Sequence, residues 1–128
     1  LATLRERVME AAEDRGFIYG LDRRKVHCRS SHSSLNALLQ SAGGIICKQW
    51  LVQFVKAMKK AGFRHGWNGD FAMCAWVHDE IQVACKADVA EQIGDIAVAT
   101  IREVTDIFNF QCPLDGEFNV GDNWAETH

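Results

Sequence analysis

The sequence is poor in the features that mark linkers, disulfide scaffolds and membrane spans. Its 128 residues contain one proline and no low-complexity tract, so nothing marks an internal domain boundary. The five cysteines are an odd number, widely spaced and without a CxxC pair, which argues against a disulfide framework and favours a reduced cytosolic compartment. No signal peptide is visible in these residues, and the apolar runs are too short or too interrupted to be expected to cross a bilayer.

An excess of basic charge is also absent. The net charge is −3, from 14 Lys and Arg against 17 Asp and Glu, so any grip on nucleic acid must be local. With 48% hydrophobic and 24% charged residues, the chain has the composition of one globular domain, or of a piece of one. It begins with Leu1 rather than Met, and Leu4 and Val8 already follow at helical spacing. We therefore expect it to be part of a longer protein.

Helical periodicity marks three segments of the chain. The predicted helices span residues 1–15, from Ser33 or Ser34 to about Ala61, and from Asp88 to about Phe108. Gly16 and Gly62 are predicted to end the first two, and Asp88 with Glu91 forms a capping-box-like start to the third. The core side of the longest helix is predicted to carry Leu35, Leu38, Leu39, Ala42, Ile46 and Leu51.

Short runs of apolar residues predict five strands. They cover residues 17–19, 25–28, 71–77, 80–85 and about 116–120. Residues 20–24 would form the turn between the first two strands, and Asn68-Gly69 is a tight-turn signal before the third. The third and fourth strands form a hairpin with His78-Asp79 at its tip. The predicted fold class is α+β, with antiparallel strands covered by helices.

The stretch WVHDEIQV, residues 76–83, places two adjacent carboxylates inside an otherwise apolar run. Charged groups taken out of water need partners or a metal ion. At the tip of a rigid hairpin, Asp79 and Glu80 would present hard oxygen ligands of the kind that Mg²⁺ binds. Two-metal phosphoryl chemistry would need at least one further carboxylate from elsewhere. An acidic pair at a turn is also typical of an ordinary solvated turn, and the residues alone leave both alternatives open.

A second pattern lies on the long predicted helix. Asn36, Gln40, Gly43 and Cys47 share one face, which is therefore polar and small. Gly43 and Gly44 each cost about 1 kcal/mol relative to alanine in a helix interior, so their presence needs a reason. Close approach of another backbone is one reason, and a nucleic-acid minor groove read by the two amides is another. A plain helix–helix contact with amides at its rim is the third.

Two further clusters carry weaker signals. Arg23, Arg24, Lys25, Arg29 and His32 form a local basic patch that could meet phosphates or simply be a solvated turn. Zinc would need four ligands. Only Cys74 and His78 have a suggestive spacing, which disfavours a zinc site.

Two long segments together resemble a known family. KVHCRSSHSSLNALLQSAGGIICKQW (residues 25–50) and HGWNGDFAMCAWVHDEIQV (residues 65–83) are similar to the C-terminal palm of family A, polymerase I-type DNA polymerases, above all to the replicative polymerases of short-tailed lytic phages. The likeness extends through the ending GDNWAETH. It implies that residues 1–128 are the C-terminal part of a polymerase palm, with the fingers, thumb and exonuclease domains outside the chain.

The resemblance also implies roles for individual residues. Asp79 matches the family's metal-binding aspartate, and Glu80 the neighbouring glutamate that supports the site. The implied DNA contacts are His78 beside the primer terminus, Asn36 and Gln40 in the minor groove, and the polar or basic residues His32, Arg24, Lys25 and Arg29. Arg23 stands where the family pattern has glycine, which puts the turn geometry in doubt. His128 resembles the family's C-terminal residue near the palm, without an implied role.

The implied reaction is attack of a primer 3′-hydroxyl on the α-phosphate of a deoxynucleoside triphosphate, with two Mg²⁺ ions and release of pyrophosphate. The implied partners are primer–template DNA and deoxynucleoside triphosphates but no membrane. Any processivity factor would dock on the absent thumb, and the implied location is cytoplasmic, in the host if the protein is phage-encoded. The second metal-binding aspartate and the fingers residues would precede Leu1, so the chain alone is expected to be inactive.

Two alternative functions remain. A metal-dependent nuclease would need a second acidic cluster, whereas Asp22 and Asp70 are isolated. The other is a non-catalytic nucleic-acid- or protein-binding module derived from a palm.

Overall fold

The computed structural model describes residues 2–128, with side chains from residue 3 onward. Its helices are α1 (Ala2–Arg15), α2 (Ser34–Lys60), α3 (Ala90–Phe108) and α4 (Trp124–Thr127). Its strands are β1 (Phe17–Tyr19), β2 (Lys25–His27), β3 (Phe71–Val77) and β4 (Glu80–Cys85). The strands form two antiparallel pairs, β1–β2 and β3–β4. This confirms the predicted α+β class. The chain divides into two compact units, one up to Cys47 and one from Lys48 to His128.

The first unit pairs helix α1 with the β1–β2 hairpin. Helix α1 ends where Gly16 adopts a φ of +72° and its N–H donates to the Ala12 carbonyl at 2.9 Å, which confirms the predicted stop. In the hairpin, Phe17 pairs with His27 and Tyr19 with Lys25. Ala12 in α1 and Ile18 in β1 are buried. Leu1, which the sequence placed at the start of this helix, lies outside the described residues.

The turn between β1 and β2 contains a residue in the left-handed conformation. Arg23 has a φ of +62°, and its N–H donates to the Gly20 carbonyl at 2.9 Å. Glycine adopts this backbone conformation without steric cost, whereas a residue that has a Cβ adopts it at a cost. The predicted turn therefore forms with arginine in place of glycine, and the backbone carries the strain.

Helix α2 begins at Ser34, after a 3-10 turn over Ser31–Ser33, and Gly62 follows its end with a φ of +88°. Both boundaries agree with the sequence prediction to within one residue. The predicted core side was partly wrong, because Leu39 is 60% exposed and none of the six residues is fully buried. The buried residues are Ser34, Cys47, Phe54 and Met58. Hydrophobic spacing identifies apolar residues but not which of them meet a packing partner.

The core of the second unit joins α2, α3 and the β3–β4 hairpin. Its buried cluster consists of Phe54, Met58, Phe71 and Ile93, and hairpin side chains such as Ile81 pack against it. The rings of Phe54 and Phe71 meet edge to face at 6.1 Å. This burial fixes the base of the hairpin against two helices, as the prediction of strands covered by helices requires.

The loop before β3 is closed by a tight turn, as Asn68-Gly69 predicted. The Gly69 N–H donates to the Gly66 carbonyl at 2.8 Å, and a Cβ on Gly69 would lie 2.2 Å from the Arg64 carbonyl oxygen. Only glycine allows that approach.

Asp70, the residue after this turn, makes two polar contacts. Its carboxylate binds the Lys86 ammonium at 2.6 Å and accepts the Arg64 N–H at 2.9 Å. The Lys86 contact, followed by the Arg64 N–H, lowers the pKa of Asp70 below its ordinary 3.8.

Two predictions for the C-terminal part were wrong. Helix α3 begins at Ala90 with Val89 as N-cap and no side-chain cap, because Asp88 lies in a preceding 3-10 turn, Ala87–Val89. Its end at Phe108 is confirmed. Residues 116–120 form no strand. Instead, the ring of Phe118 packs directly on Gly94, where an added Cβ would lie 2.3 Å from it. Side-chain packing on α3, rather than strand pairing, determines the course of this segment.

Candidate functional site

The β3–β4 hairpin carries His78 and Asp79 at its tip, as predicted. Val77 pairs with Glu80 and Trp76 with Ile81, so the connection is a two-residue turn. Such turns need a left-handed residue, and His78 supplies it with a φ of +55°. The Trp76 indole N–H donates to the His78 carbonyl at 2.7 Å. The backbone at the tip is therefore held by both strands and by a side chain.

A β-bulge lies in β3 at Cys74. The register passes from Met73 opposite Val83 to Ala75 opposite Gln82, which leaves Cys74 without a cross-strand partner. Bulges increase strand twist and often occur beside functional sites. In the part of the chain that the structure describes, no group of three or more His, Cys, Asp and Glu side chains could hold a metal ion. Cys74 and His78, the pair with a suggestive zinc spacing, are therefore not joined by further zinc ligands among the described residues.

Asp79 is an exposed carboxylate in the turn. None of the described residues forms a hydrogen bond or an ion pair with its side chain. Its negative charge is thus not neutralised by the rest of residues 2–128. An exposed carboxylate on a rigid turn is a hard oxygen donor of the type that Mg²⁺ prefers, although one carboxylate is an incomplete ligand set.

Glu80, the next residue, is in the opposite situation. Its Oε1 accepts the Trp124 indole N–H at 2.9 Å and an N–H of the Gln82 amide, and its Oε2 lies 2.9 Å from His128 Nδ1. The Gln82 contact is the largest cause of a lowered pKa for Glu80, followed by His128, while partial burial opposes the shift and Trp124 adds to it. These contacts favour the charged form of Glu80, and each of its two carboxylate oxygens has a partner at hydrogen-bond distance.

The partners of Glu80 come from two parts of the chain. Gln82 is two residues along β4 and so shares a face with Glu80, a spacing that could have been found in the sequence. Trp124 and His128 come from α4 and the residue after it, and their rings meet edge to face at 6.3 Å. The resemblance placed His128 near the palm, but nothing in the sequence identified Trp124 as a partner of Glu80.

Four of the predicted DNA contacts lie around the β1–β2 turn and the start of α2. The Arg24 guanidinium forms an ion pair with Asp22 across the turn. The Lys25 ammonium lies over the Phe17 ring, 4.6 Å from its centre. Arg29 and His32 are exposed. The first two thus have contacts inside the chain that any phosphate would have to share.

Asn36 and Gln40 lie one turn apart on α2, and both are exposed. Neither side chain forms a hydrogen bond with the described residues. A Cβ on Gly43 or Gly44 would have no described atom within 4 Å. Close approach of another backbone within residues 2–128 is therefore not the reason for these two glycines.

Comparison with known proteins identifies the family. The family model described as DNA polymerase family A matches residues 3–126. The chain belongs to DNA polymerase family A. It is 50% identical over 115 residues to the DNA-directed DNA polymerase of Enterobacteria phage T3, and equally to that of Escherichia phage T7. Each alignment covers 89% of this chain but 16% of the relative, so this family A chain spans about a sixth of the length of those proteins.

The fold of this family A chain also matches a solved polymerase structure. The polymerase domain of Pol1 from M. smegmatis, in a complex with DNA primer-template and dNTP, has a TM-score of 0.65 over 78% of this chain and 19% of its own. At 18% identity the match establishes the fold. No helix in the described part of the family A chain combines the length and hydrophobicity needed to cross a membrane. The roles of individual residues stay predictions.

Proposed function

We propose that residues 1–128 form the C-terminal part of the palm of a DNA-directed DNA polymerase. The complete protein would add deoxynucleotides to a primer 3′-hydroxyl on a DNA template and release pyrophosphate. The observation that carries the proposal is the exposed Asp79 carboxylate at the tip of the packed β3–β4 hairpin. Family membership and the polymerase fold support it.

The donor chemistry of the hairpin tip fits a bound Mg²⁺. Asp79 would hold the ion with its carboxylate, which has no other partner among the described residues. Glu80 would support the site without binding the metal, because Gln82, Trp124 and His128 already occupy its oxygens. The two Mg²⁺ ions of such a site neutralise charge on the reacting phosphate and its attacking and leaving oxygens. At least one further carboxylate would come from sequence outside this chain.

The DNA would be bound by two groups of residues. Asn36 and Gln40 would contact base edges in the minor groove, since an amide can both donate and accept there and both side chains are exposed. His78 would lie beside the primer terminus. The proposed phosphate contacts are Arg24, Lys25, Arg29 and His32, which give the acidic chain a local positive patch. The incoming partner would be a deoxynucleoside triphosphate.

Replacement of Asp79 tests the proposal. In the protein encoded by the complete reading frame that contains this chain, Asp79→Ala should lower kcat for primer extension with Mg²⁺ by about a thousandfold or more, because a metal ligand contributes several kcal/mol to the transition state. The affinity for primer–template DNA should stay within about twofold, since phosphate and groove contacts remain. Steady-state extension and equilibrium DNA binding measure the two quantities.

Asp95→Ala is the matched control, because Asp95 is also an exposed aspartate but lies on α3 rather than on the β3–β4 hairpin. It should leave both extension and binding unchanged. Near-normal extension by Asp79→Ala would rule out the proposed role of Asp79. A wild-type protein that binds primer–template DNA but never extends it would instead favour the non-catalytic alternative.

A further inference from the structure

The Glu80 carboxylate and the C-terminal segment depend on each other for position. The Trp124 indole N–H, 44 residues away in sequence, donates to Glu80 Oε1 at 2.9 Å. The Trp124 ring is 47% exposed, so burial alone does not hold it in place. Hydrogen bonds to a charged group are about twice as strong as neutral ones. The contact with Glu80 is therefore a main constraint on where this ring lies.

The segment that carries Trp124 is stabilised locally but is too short to persist alone. Helix α4 has four residues, far below the length at which an isolated helix forms in water. Its start is held by the Glu126 carboxylate, which accepts the Asp122 N–H at 2.8 Å and the Asn123 amide N–H at 2.6 Å. Thr127 Oγ1 lies 3.5 Å from the Gln82 side-chain oxygen. The segment thus reaches the hairpin through the residues around Glu80.

The same contacts restrict the Glu80 side chain. A glutamate has three side-chain torsions, and an exposed one would sample several rotamers. Here Oε1 is held by two N–H donors, from Trp124 and Gln82, which come from different parts of the chain, and Oε2 lies 2.9 Å from His128 Nδ1. Glu80 also follows Asp79 directly in sequence. Without these donors its carboxylate could move toward the Asp79 carboxylate and change the ligands available at the tip.

We propose that Trp124 is a positioning residue for the polymerase reaction, which holds the Glu80 carboxylate through its indole N–H and keeps it apart from Asp79. This inference rests on the proposed function. Trp124 itself touches neither the metal nor the nucleotide; it acts through Glu80. Fixed geometry of groups around a reaction centre raises the rate of the chemical step more than it alters binding.

The kinetic test uses Trp124→Phe, which removes the indole N–H and keeps an aromatic ring. In the complete protein we expect kcat for primer extension to fall about tenfold, with KM for the nucleotide and DNA affinity changed less than about twofold. In a Glu80→Ala background the same substitution should cause no further loss, because the group it positions is gone. A merely structural role would instead give effects that multiply.

Trp50→Phe is the matched control. Its indole N–H also donates a hydrogen bond within the second unit, to the Ala97 carbonyl at 2.8 Å, but it does not bind Glu80. We expect kcat within about twofold of wild type, even if thermal stability falls.

A second readout does not depend on activity. In complete protein labelled with 5-fluorotryptophan, the Trp124 resonance, identified by its loss in Trp124→Phe, should shift on Glu80→Ala. It should not shift on Glu117→Ala, which removes an exposed acid elsewhere. Three results would each overturn the positioning role. They are a Trp124 resonance that does not shift on Glu80→Ala, a wild-type kcat in Trp124→Phe, and losses of kcat that multiply when Trp124→Phe and Glu80→Ala are combined. If Asp79→Ala abolishes extension in the same assays, the proposed function survives that failure. If Asp79→Ala extends normally, the proposed function itself is wrong and the inference falls with it.

Discussion

At the scale of single residues, the adjacent carboxylates of Asp79 and Glu80 differ in their surroundings. Asp79 is exposed and has no partner among the described residues, whereas three side chains bind Glu80. Charge repulsion and metal competition between neighbouring carboxylates are reduced when one of them is fixed by hydrogen bonds. The identity of the residues is the same as in any acidic turn. What distinguishes them is their contacts, because described side chains bind Glu80 and leave Asp79 exposed.

Arg23 is the residue whose backbone is most at odds with its side chain. Replacing it with glycine should raise the free energy of unfolding by about 0.5–1 kcal/mol, because glycine adopts the φ of +62° without the left-handed penalty, and its greater unfolded-state entropy offsets only part of that gain. Urea unfolding of the purified chain, followed by circular dichroism, measures the change.

The control for this prediction is Arg29→Gly. It removes the same charge at an exposed position that is not left-handed. We expect it to leave the free energy of unfolding unchanged or to lower it. If both substitutions stabilise the chain equally, loss of positive charge rather than relief of backbone strain explains the gain at Arg23.

At the scale of elements, the start of helix α2 carries a row of residues that are exposed among the described part of the chain. Asn36, Gln40 and Gly43 follow one another along one face, and Leu39 beside them is largely exposed. The helix also contains two glycines that no described residue requires for close packing. Glycines on an exposed helix face lower the stability of the helix, and they are expected where a partner approaches the helix backbone closely.

Gly43→Ala should separate stability from DNA binding. A methyl group here meets no described atom within 4 Å, so the free energy of unfolding should rise by about 1 kcal/mol through helix propensity. On the proposed DNA-binding face the same methyl should weaken primer–template binding by roughly tenfold, because it fills space that the DNA would occupy. Urea unfolding of the chain and DNA titration of the complete protein measure the two effects.

Ser41→Ala provides the control within the same helix, because Ser41 points about 100–160° away from Asn36, Gln40 and Gly43 around the helix axis. It should leave primer–template affinity within about twofold of wild type. Equal DNA binding by Gly43→Ala and Ser41→Ala would contradict the proposed binding face.

At the scale of the whole molecule, the chain matches a small share of its relatives. It aligns with 16% of the phage T3 and T7 polymerases. Within residues 2–128, no third metal-ligating side chain joins Asp79 and Glu80. Two-metal nucleotidyl transfer needs more ligands than one exposed carboxylate. The proposed function therefore belongs to the complete protein rather than to these residues by themselves.

The purified 128-residue chain should show no primer extension with Mg²⁺ and all four deoxynucleoside triphosphates, because its described residues offer no complete ligand set for the metal ions. A gel assay with a labelled primer measures this. The same chain with Asp79→Ala controls for contaminating polymerase, since any extension shared by both preparations comes from another enzyme. Extension by the wild-type chain alone would show that residues 1–128 suffice for catalysis.

Much of the local structure could be predicted because its causes are local. Gly16 and Gly62 end helices through their own left-handed backbones, and the β3–β4 hairpin follows from two apolar runs separated by two residues. The exposed positions of Asp79, Asn36 and Gln40 agree with the roles that the family resemblance implied. Their functions are still predictions.

The tertiary structure decided what depends on contacts between distant segments. Asp88 and Glu91 had the pattern of a capping box, yet α3 begins at Ala90; residues 116–120 had the pattern of a strand, yet Phe118 packs on Gly94. The partnership of Glu80 with Trp124 likewise joins residues far apart in sequence. The sequence by itself determined the three longer helices, the hairpins and the acidic tip, but not the short α4, because backbone preferences act over a few residues. Only folding decided which acid is held and which is exposed, because hydrogen bonds and packing depend on which segments meet.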